Sequence, residues 1–193
     1  MPSPGFLSHP RFDQALFEGR QVLDIGCGRN KLPGAVGLDR SPMPGVDVVA
    51  DLDGGLPFPE HSFDAVSANQ VLEHVDDLVG LMHEVHRVLR PGGVLVAHVP
   101  YFRSSWAHID PTHVRSFTIN SMDYFVEGTD CHLHYRFGER AFRRVQVMLD
   151  SDFPPRLVRA LFAKLALRFP ARFENSVCSN LFVFQQLTFV LEK

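Results

Sequence analysis

The stretch VLDIGCGRNKLPGAVGLD, residues 22–39, decides how this chain folds. Residues 21–25 form a short β-rich run that stops at Gly26-Cys27-Gly28, which is typical of a buried parallel strand entering a glycine turn. A second short apolar run, residues 34–39, ends at Asp39. The two strands are so close in sequence that we expect the crossover helix between them to be very short or replaced by a loop.

Further strands and one long helix are predicted in the first half of the chain. Apolar residues recur every three to four positions from Val71 to Arg90, which indicates an amphipathic helix. Pro91-Gly92-Gly93 is expected to end it and turn the chain into the next strand. Before the helix, Ser41-Pro42-Met43-Pro44-Gly45 leaves little room for a second crossover helix. The other strand candidates are residues 46–50, 63–68 and 94–99.

The second half of the chain is predicted to contain two helices and two more strands. Thr118 is a candidate cap for a helix running to about Glu127, and Pro154-Pro155 precede a helix that ends near Arg168. We expect the apolar face of this last helix to cover the sheet. The strand candidates, which we expect to form an antiparallel edge, are residues 141–149 and 181–191.

Composition restricts the class of protein. The chain has 193 residues, 45% of them hydrophobic, which predicts one domain with a sizeable core. Nineteen basic and 22 acidic residues give a net charge of −3, so no global field recruits nucleic acid or an anionic membrane. Residues 136–172 are locally basic. Three widely spaced cysteines and the absence of a signal-like or membrane-spanning stretch make the cytoplasm the expected compartment.

Residues suited to ligand binding collect at the predicted carboxyl ends of the strands, where ligands bind in open parallel sheets. Gly26 and Gly28 allow a close approach to the backbone because they carry no Cβ and tolerate positive φ. Asp39 is placed to accept hydrogen bonds from a ribose diol. Asp51 and Leu52 offer an acidic partner and an apolar contact, which suits the edge and face of an adenine.

With these residues in place, the sequence resembles the class I S-adenosylmethionine-dependent methyltransferases, particularly the small-molecule type 11 branch. The resemblance covers roughly the first half of the chain, from Val22 to Val99, in ordered signals at consistent spacing. It implies a Rossmann-like α/β fold with a mostly parallel sheet, an antiparallel C-terminal edge strand and helices on both faces. It also implies S-adenosylmethionine as cofactor and S-adenosylhomocysteine as product. The matching stretches are residues 22–39, 48–75 and 88–93.

The resemblance assigns roles to residues of this sequence. It implies that Asp24, Gly26 and Gly28 cradle the methionine part of the cofactor and that Asp39 binds the ribose. Asp51 and Leu52 match the pair that contacts adenine, and the loop beneath the methionine moiety and the sulfonium begins at Asn69 and Gln70. The predicted cofactor contacts also include two neighbours of these residues, Cys27 and Arg40.

The charge pattern favours this cofactor over a dinucleotide. A pyrophosphate binds best at a helix N-terminus directly after the glycines, and the proline-containing segment that follows Gly28 supplies this poorly. A sulfonium and a zwitterionic methionine tail suit carboxylates and carbonyls instead.

We predict one domain over residues 1–193. It has an N-terminal segment at residues 1–20, a cofactor-binding half at residues 21–99 and an acceptor-side half at residues 100–193.

A polar and aromatic loop follows the last parallel strand and is the candidate acceptor site. His108 and His113 are the candidate general bases within it, with Asp110 beside them. They could equally cap turns on a surface loop. Together with Cys131, His132 and His134 they match no closed tetrahedral spacing, so no metal site is predicted. Glu73 and His74 could face the cofactor and substrate, or form the acidic first turn of the long helix.

We predict methyl transfer to an oxygen or nitrogen of a small-molecule acceptor by a monomer or homodimer. Positioning supplies much of the rate of such a displacement, so a universal catalytic residue is not required. The competing hypotheses are a non-catalytic S-adenosylmethionine-binding or accessory protein, a nucleotide-sugar or dinucleotide enzyme, and an RNA methyltransferase. Net charge disfavours RNA, although the basic C-terminal segment keeps that alternative open.

Overall fold

The computed structural model describes residues 15–135, 140–151, 156–181 and 184–193. These residues build one seven-stranded sheet with the spatial order β3-β2-β1-β4-β5-β7-β6. The strands are β1 (Val22–Ile25), β2 (Val36–Asp39), β3 (Val48–Val49), β4 (Phe63–Asn69), β5 (Leu89–Pro100), β6 (Arg143–Asp150) and β7 (Gln186–Glu192).

Strands β1 to β5 are parallel to one another, and β7 runs antiparallel to both of its neighbours, β5 and β6. The C-terminal strands therefore contribute the antiparallel side of a mostly parallel sheet. This arrangement confirms the predicted Rossmann-like α/β fold. Strand β6 closes the sheet on that side, and the antiparallel β7 lies one position inside it.

The crossovers on either side of β2 are loops, as the prolines and glycines predict. Asp47 holds them together: its Oδ2 accepts hydrogen bonds from the Gly37 N–H and the Lys31 ammonium, both at 2.7 Å. These two donors lower the pKa of the Asp47 carboxyl. One carboxylate thus joins the two connections in the place of packed helices.

Helices lie before β5 and in the C-terminal half. Besides a helical turn at residues 15–17, short 3₁₀ turns occur at Leu52–Gly54, Leu72–His74 and Asp123–Phe125. Within the described ranges, each helix is too short or too polar to cross a membrane. The α-helices are α1 (Leu78–Val88), α2 (Trp106–Ile109), α3 (Asp130–Tyr135), α4 (Arg156–Arg168), α5 (Pro170–Glu174) and α6 (Cys178–Leu181).

The single helix predicted from Val71 to Arg90 is wrong at its start. Helix α1 begins at Leu78 because Asp77 caps it, accepting a hydrogen bond from the Gly80 N–H at 2.8 Å. The apolar periodicity continues across this cap, and so it concealed the break. At the other end, the chain is already extended from Leu89, before the Pro-Gly-Gly turn.

The helix predicted from Thr118 to Glu127 is also wrong, since only one 3₁₀ turn forms there. Tertiary pairing competes with it: Phe117 forms a bridge with Tyr101, and Val126 forms a bridge with Phe142. The backbone groups at both ends of the predicted helix are therefore satisfied by extended neighbours.

Near the C-terminus, the predicted strand 181–191 begins later than expected. Its first residue is the last of α6, residues 182–183 lie outside the described part, and β7 starts at Gln186. Helix α4 forms where it is predicted, but its apolar face covers the sheet only in part, since Phe162 packs against the main core while the leucines of that face are exposed. Leu157 is 88% exposed and Leu161 65% exposed, whereas Ala166 is buried.

The two faces of the sheet are covered by different parts of the chain. On one face, α1 buries Leu81, Met82, Val85 and Val88 against a large core. On the other, a smaller cluster around Val22, Ala65, Val94 and Val96 packs against Leu16, Phe17 and Leu32. The helical turn at residues 15–17 and the loop after β1 therefore shield the second face and fix the position of that loop.

Candidate functional site

The carboxyl ends of four parallel strands are aligned in one row. Ile25 of β1 pairs with Leu38 and Ala68, and Ala68 pairs with Ala97. The residues that follow form the rim of the sheet, defined here as Asp39, Gly26, Asn69 and His98. With about 4.8 Å between neighbouring strands, this rim is about 14 Å long, which is long enough to hold an extended ligand.

The turn after β1 brings bare backbone to the centre of the rim. Gly26 and Gly28 both have positive φ, +63° and +52°. A Cβ added at Gly26 would lie 2.3 Å from Cγ2 of Val71, whereas a Cβ at Gly28 would meet nothing within 4 Å. Glycine is therefore required at 26 by packing and conformation, and at 28 by conformation alone.

Asp39 ends β2 with its carboxylate held in place by two backbone donors. Its Oδ2 accepts from the Gly28 N–H at 3.0 Å, and its Oδ1 accepts from the Ser41 N–H at 2.9 Å. Each carboxylate oxygen keeps a further acceptor position. The half-buried group can thus accept two hydrogen bonds from a neighbouring pair of hydroxyls, which is the chemistry of a ribose diol.

Asp24 lies below the rim and is buried, with its Oδ2 accepting a hydrogen bond from the Leu32 N–H at 2.9 Å. Burial raises the pKa of its carboxyl, opposed by hydrogen bonds from Leu32 and Ser67. Cys27 is buried next to it, where burial and then the charges of Asp24 and Asp39 raise the pKa of the thiol. Both side chains hold the shape of the turn.

The segment after β3 reaches the same rim. The Ala50 N–H donates to the Asp39 carbonyl at 3.1 Å, which draws the following residues towards Asp39. Asp51 is exposed and caps a 3₁₀ turn through a 3.1 Å hydrogen bond from the Asp53 N–H. Leu52 is half-buried against the main core. An acid and an apolar side chain therefore stand together beyond Asp39.

On the other side of Gly26, β4 ends at the exposed Asn69, followed by Gln70 with a φ of +53°. The Gln70 N–H donates to the His98 carbonyl at 2.9 Å, and its side-chain amide lies 3.3 Å from Oε1 of Gln186. The buried His98 ring is 2.8 Å from the Thr188 hydroxyl. This polar network at the β5 end of the rim was missed in the sequence, although a histidine inside an apolar strand is a signal for one.

The loop after β5 carries the two predicted bases to different surroundings. His108 is exposed, and its Nε2 lies 2.9 Å from the Phe102 carbonyl, so Nε2 donates and Nδ1 carries the free lone pair. A shallow pocket of about 320 Å³ is lined by this loop, including His108, Asp110 and His113. The pocket is a candidate place for an acceptor.

His113 joins two residues that precede α1. One potential ligand atom from each of Glu73, His74 and His113 lies within 4.8 Å of the others, and these three residues are called the Glu-His-His cluster below. Glu73 is 1% exposed, and burial raises the pKa of its carboxyl to about 7. The Val114 N–H donates to the Glu73 carbonyl at 2.9 Å, which fastens the loop to the 3₁₀ turn.

Glu73, the first residue of the cluster, follows the rim residue Asn69 by four positions in the chain. Burial lowers the pKa of His74, and the charges of His113 and then of Arg40, the exposed residue directly after Asp39, contribute in the same direction. The histidines of α3 have other surroundings: Nδ1 of His132 lies 3.2 Å from the Tyr124 carbonyl. Among the described residues, the candidate ligand group thus contains Glu73, not the Cys131, His132 and His134 set considered from the sequence.

Comparison with known proteins agrees with this geometry. Residues 23–97 match the family model described as "Methyltransferase domain", type 11. A chain of Mycolicibacterium smegmatis described as a "probable S-adenosylmethionine-dependent methyltransferase" is 35% identical over 99 residues, covering 42% of this chain and 38% of its own. Residues 23–97 therefore resemble the class I S-adenosylmethionine-dependent methyltransferases of the type 11 branch.

Two further proteins are similar to this chain. The sterol 24-C-methyltransferase of Aspergillus fumigatus is 30% identical over 134 residues, covering 57% of this chain and 35% of that protein. The crystal structure of a methyltransferase from Archaeoglobus fulgidus superposes with a TM-score of 0.63 at 20% identity, over 96% of this chain and 91% of the other. The second likeness is one of fold. The chain spans well under half the length of the two curated relatives described here.

The rim fits S-adenosylmethionine, the cofactor of the family whose model residues 23–97 match. Gly28 leaves open space where a side chain would otherwise project, and both Asp39 oxygens keep acceptor capacity. The crossover after Gly28 is a loop, not a helix N-terminus, which agrees with a cofactor that has no pyrophosphate. The donors and acceptors present therefore suit an adenosine joined to a charged amino-acid tail.

Proposed function

We propose that this chain binds S-adenosylmethionine along the rim and transfers its methyl group to an oxygen or nitrogen of a small molecule. The observation that carries the proposal is Asp39, whose two oxygens are fixed by the Gly28 and Ser41 N–H groups at the β2 end of the rim. A preoriented carboxylate loses little freedom when it accepts two more hydrogen bonds, so it selects a diol.

The other predicted residues take roles along the same line. Asp51 and Leu52, beyond Asp39, are proposed to contact the adenine, and Arg40 borders the site. Gly26, Gly28 and Asn69 are proposed to contact the methionine part, and Gln70 shapes the turn beside it. Asp24 and Cys27 act by holding the glycine turn. When bound, the cofactor supplies an electrophilic methyl group on a sulfonium.

The acceptor is proposed to lie under the loop after β5, between the rim and the Glu-His-His cluster. A hydroxyl or amine acceptor loses a proton on methylation, and His108 or His113 is placed in this loop to receive it. Positioning of the acceptor supplies most of the remaining rate. The curated relatives include enzymes named for sterol and menaquinone methylation, which supports a small-molecule acceptor.

Calorimetric titration with S-adenosylhomocysteine tests the proposal. Hydrogen bonds to a charged group contribute about 1.5–3 kcal/mol each, so Asp39→Ala should lose at least about 3 kcal/mol of binding energy, roughly a hundredfold in affinity. Asp64→Ala is the matched control. Asp64 is a strand-end aspartate that accepts from the Gln21 N–H at 2.9 Å, but it lies at the opposite end of β4.

The outcomes separate the competing hypotheses. Binding of S-adenosylhomocysteine that depends on Asp39 but not on Asp64, with no binding of NAD, supports the cofactor assignment. Equal loss in both variants, or tighter binding of NAD, contradicts it. Release of S-adenosylhomocysteine in a screen of hydroxyl and amine acceptors supports catalysis, whereas tight binding without release to any acceptor would favour an accessory protein.

A further inference from the structure

Glu73 is a buried carboxylate whose position is not explained by its neighbours. It is 1% exposed, and neither side-chain oxygen has a hydrogen-bond partner among the described residues. Burying such a group without partners is costly, because a carboxyl in an apolar environment loses its hydration. The carboxylate faces Nε2 of His113 across a gap of 4.0 Å, which is too long for a hydrogen bond.

The surroundings of His113 determine which of its nitrogens is free. Nδ1 lies 3.2 Å from the Ala107 carbonyl, which can only accept, so Nδ1 carries the proton in the neutral ring. Nε2, the atom that faces Glu73, therefore presents a lone pair. Two groups that both offer lone pairs face each other at 4.0 Å, which leaves space for a Lewis acid between them.

The same reasoning applies to His74, whose ring meets that of His113 edge to face with 4.7 Å between centroids. Its Nδ1 lies 2.9 Å from the Thr112 hydroxyl. That hydroxyl donates its own proton to Asp110 at 2.6 Å, so its oxygen accepts from the His74 Nδ1–H. Nε2 of His74 is thus the nitrogen with a lone pair, held by an Asp110-Thr112 pair of the kind that orients metal-bound histidines.

We propose that Glu73, His74 and His113 bind one divalent transition-metal ion, with Zn²⁺ as the best match. Two imidazoles and one carboxylate are the three protein ligands of many catalytic zinc sites, in which a further position stays open for water or substrate. Ligand atoms around a tetrahedral zinc lie about 3.4 Å apart, given bonds of about 2.0–2.1 Å. The potential ligand atoms of the cluster lie within 4.8 Å of one another, so side-chain rotations that move these atoms by roughly 1 Å would complete the site.

The place of the ion suggests its role, which rests on the proposed function. Glu73 and His74 follow the rim residue Asn69 in the chain, and the ion would lie on the acceptor side. A metal ion in this position binds an acceptor oxygen and lowers its pKa, which prepares a hydroxyl for methylation at neutral pH. His113 then serves as a ligand, and His108 is left as the candidate base. This inference departs from the sequence-based prediction that no metal is bound.

Equilibrium dialysis of the full chain tests the site directly. Chelator-treated protein is dialysed against Zn²⁺, and bound metal is measured for the wild type and for Glu73→Gln, which keeps the shape of the side chain. The wild type should bind one more ion per chain than the variant. Changing a residue that supports a metal ligand usually lowers the metal affinity 10–100-fold, so Thr112→Val should lower the Zn²⁺ affinity about tenfold. Loss of a ligand itself, in Glu73→Gln or His113→Asn, should lower it at least a hundredfold.

Control variants separate this proposal from the proposed function. His108→Asn removes an exposed histidine of the same loop and should bind Zn²⁺ like the wild type. Asp39→Ala should also keep the ion while losing S-adenosylhomocysteine, so the two proposals fail independently. Equal Zn²⁺ binding by the wild type and Glu73→Gln, or equal losses in His108→Asn and His113→Asn, would overturn the metal site. Stronger thermal stabilisation of the wild type than of Glu73→Gln by Zn²⁺ would support it.

Discussion

Replacement of Gly26 by alanine tests the packing of the turn that forms the centre of the rim. The φ of +63° costs a residue with a Cβ about 1–2 kcal/mol. The new Cβ would also lie 2.3 Å from Cγ2 and 2.8 Å from Cβ of Val71, which packs against the main core. Overpacking of this kind costs about 1–3 kcal/mol. We therefore expect Gly26→Ala to lower the free energy of unfolding by about 3 kcal/mol.

Gly28→Ala is the matched control because only the conformational cost destabilises it. Gly28 has a φ of +52°, and a Cβ there would have no neighbour within 4 Å. We expect this variant to lose only about 1–2 kcal/mol. The difference between the two glycine variants then measures the contact with Val71.

Urea unfolding of a double-mutant cycle provides the assay. Val71→Ala removes the methyl group at 2.3 Å, so in the Gly26→Ala background it should recover about 1 kcal/mol relative to additivity. The slopes of the unfolding curves should stay equal, since the surface exposed on unfolding does not change. Equal midpoints for Gly26→Ala and Gly28→Ala, together with additive effects of Val71→Ala, would refute the packing argument.

Two further predictions concern a half-buried histidine and a buried acid. Burial and the nearby charges of Lys193 and Arg140 lower the pKa of His86 from 6.5 to about 4, so the unfolded chain takes up the proton first as the pH falls. The free energy of unfolding should therefore decrease as the pH falls from 6.5 towards 4. In His86→Gln this decrease should be smaller by about 1–2 kcal/mol, after allowance for solvent screening. Identical pH profiles of the wild type and the variant, measured by urea unfolding, would contradict this. Asp24→Ala should cost about 1–3 kcal/mol because the Leu32 N–H loses its acceptor, and Asp24→Asn should cost less; equal unfolding midpoints for these two variants would show that the hydrogen bond does not stabilise the loop.

The part of the fold that the sequence predicts well rests on local signals. The strand ends at Ile25 and Asp39 and the loop crossovers follow from glycines, prolines and acids that act within a few residues of their own position. The start of α1 was predicted wrongly because Asp77 caps the helix without interrupting its apolar periodicity. The region after Thr118 was predicted wrongly because the bridges to Tyr101 and Phe142 come from distant segments.

One part of the candidate site could be predicted from the sequence and another part could not. The rim could be predicted because parallel strands in register bring their carboxyl ends together. The Glu-His-His cluster could not, because it depends on a contact between His74 and Thr112 across 38 positions of the chain. Ligand spacing within one segment cannot reveal such a group. A buried carboxylate without a partner becomes visible only once the fold is known.

The exposure of the apolar side chains of α4 also depends on tertiary contacts that the local sequence does not reveal. Helical periodicity correctly predicts that Leu157, Leu161 and Leu165 share one face, but it does not determine what that face contacts. The structure buries Ala166 and leaves those three leucines exposed. Periodicity thus predicts the helix, whereas its orientation depends on the tertiary packing of α4 and α5.

A crystal structure with S-adenosylhomocysteine tests the central claim most directly. We predict that both ribose hydroxyls donate to Asp39 with its hydrogen bonds to Gly28 and Ser41 intact, and that the amino-acid tail lies over the glycine turn. A ligand bound only in the pocket lined by His108 and Asp110, with Asp39 facing solvent, would contradict the account.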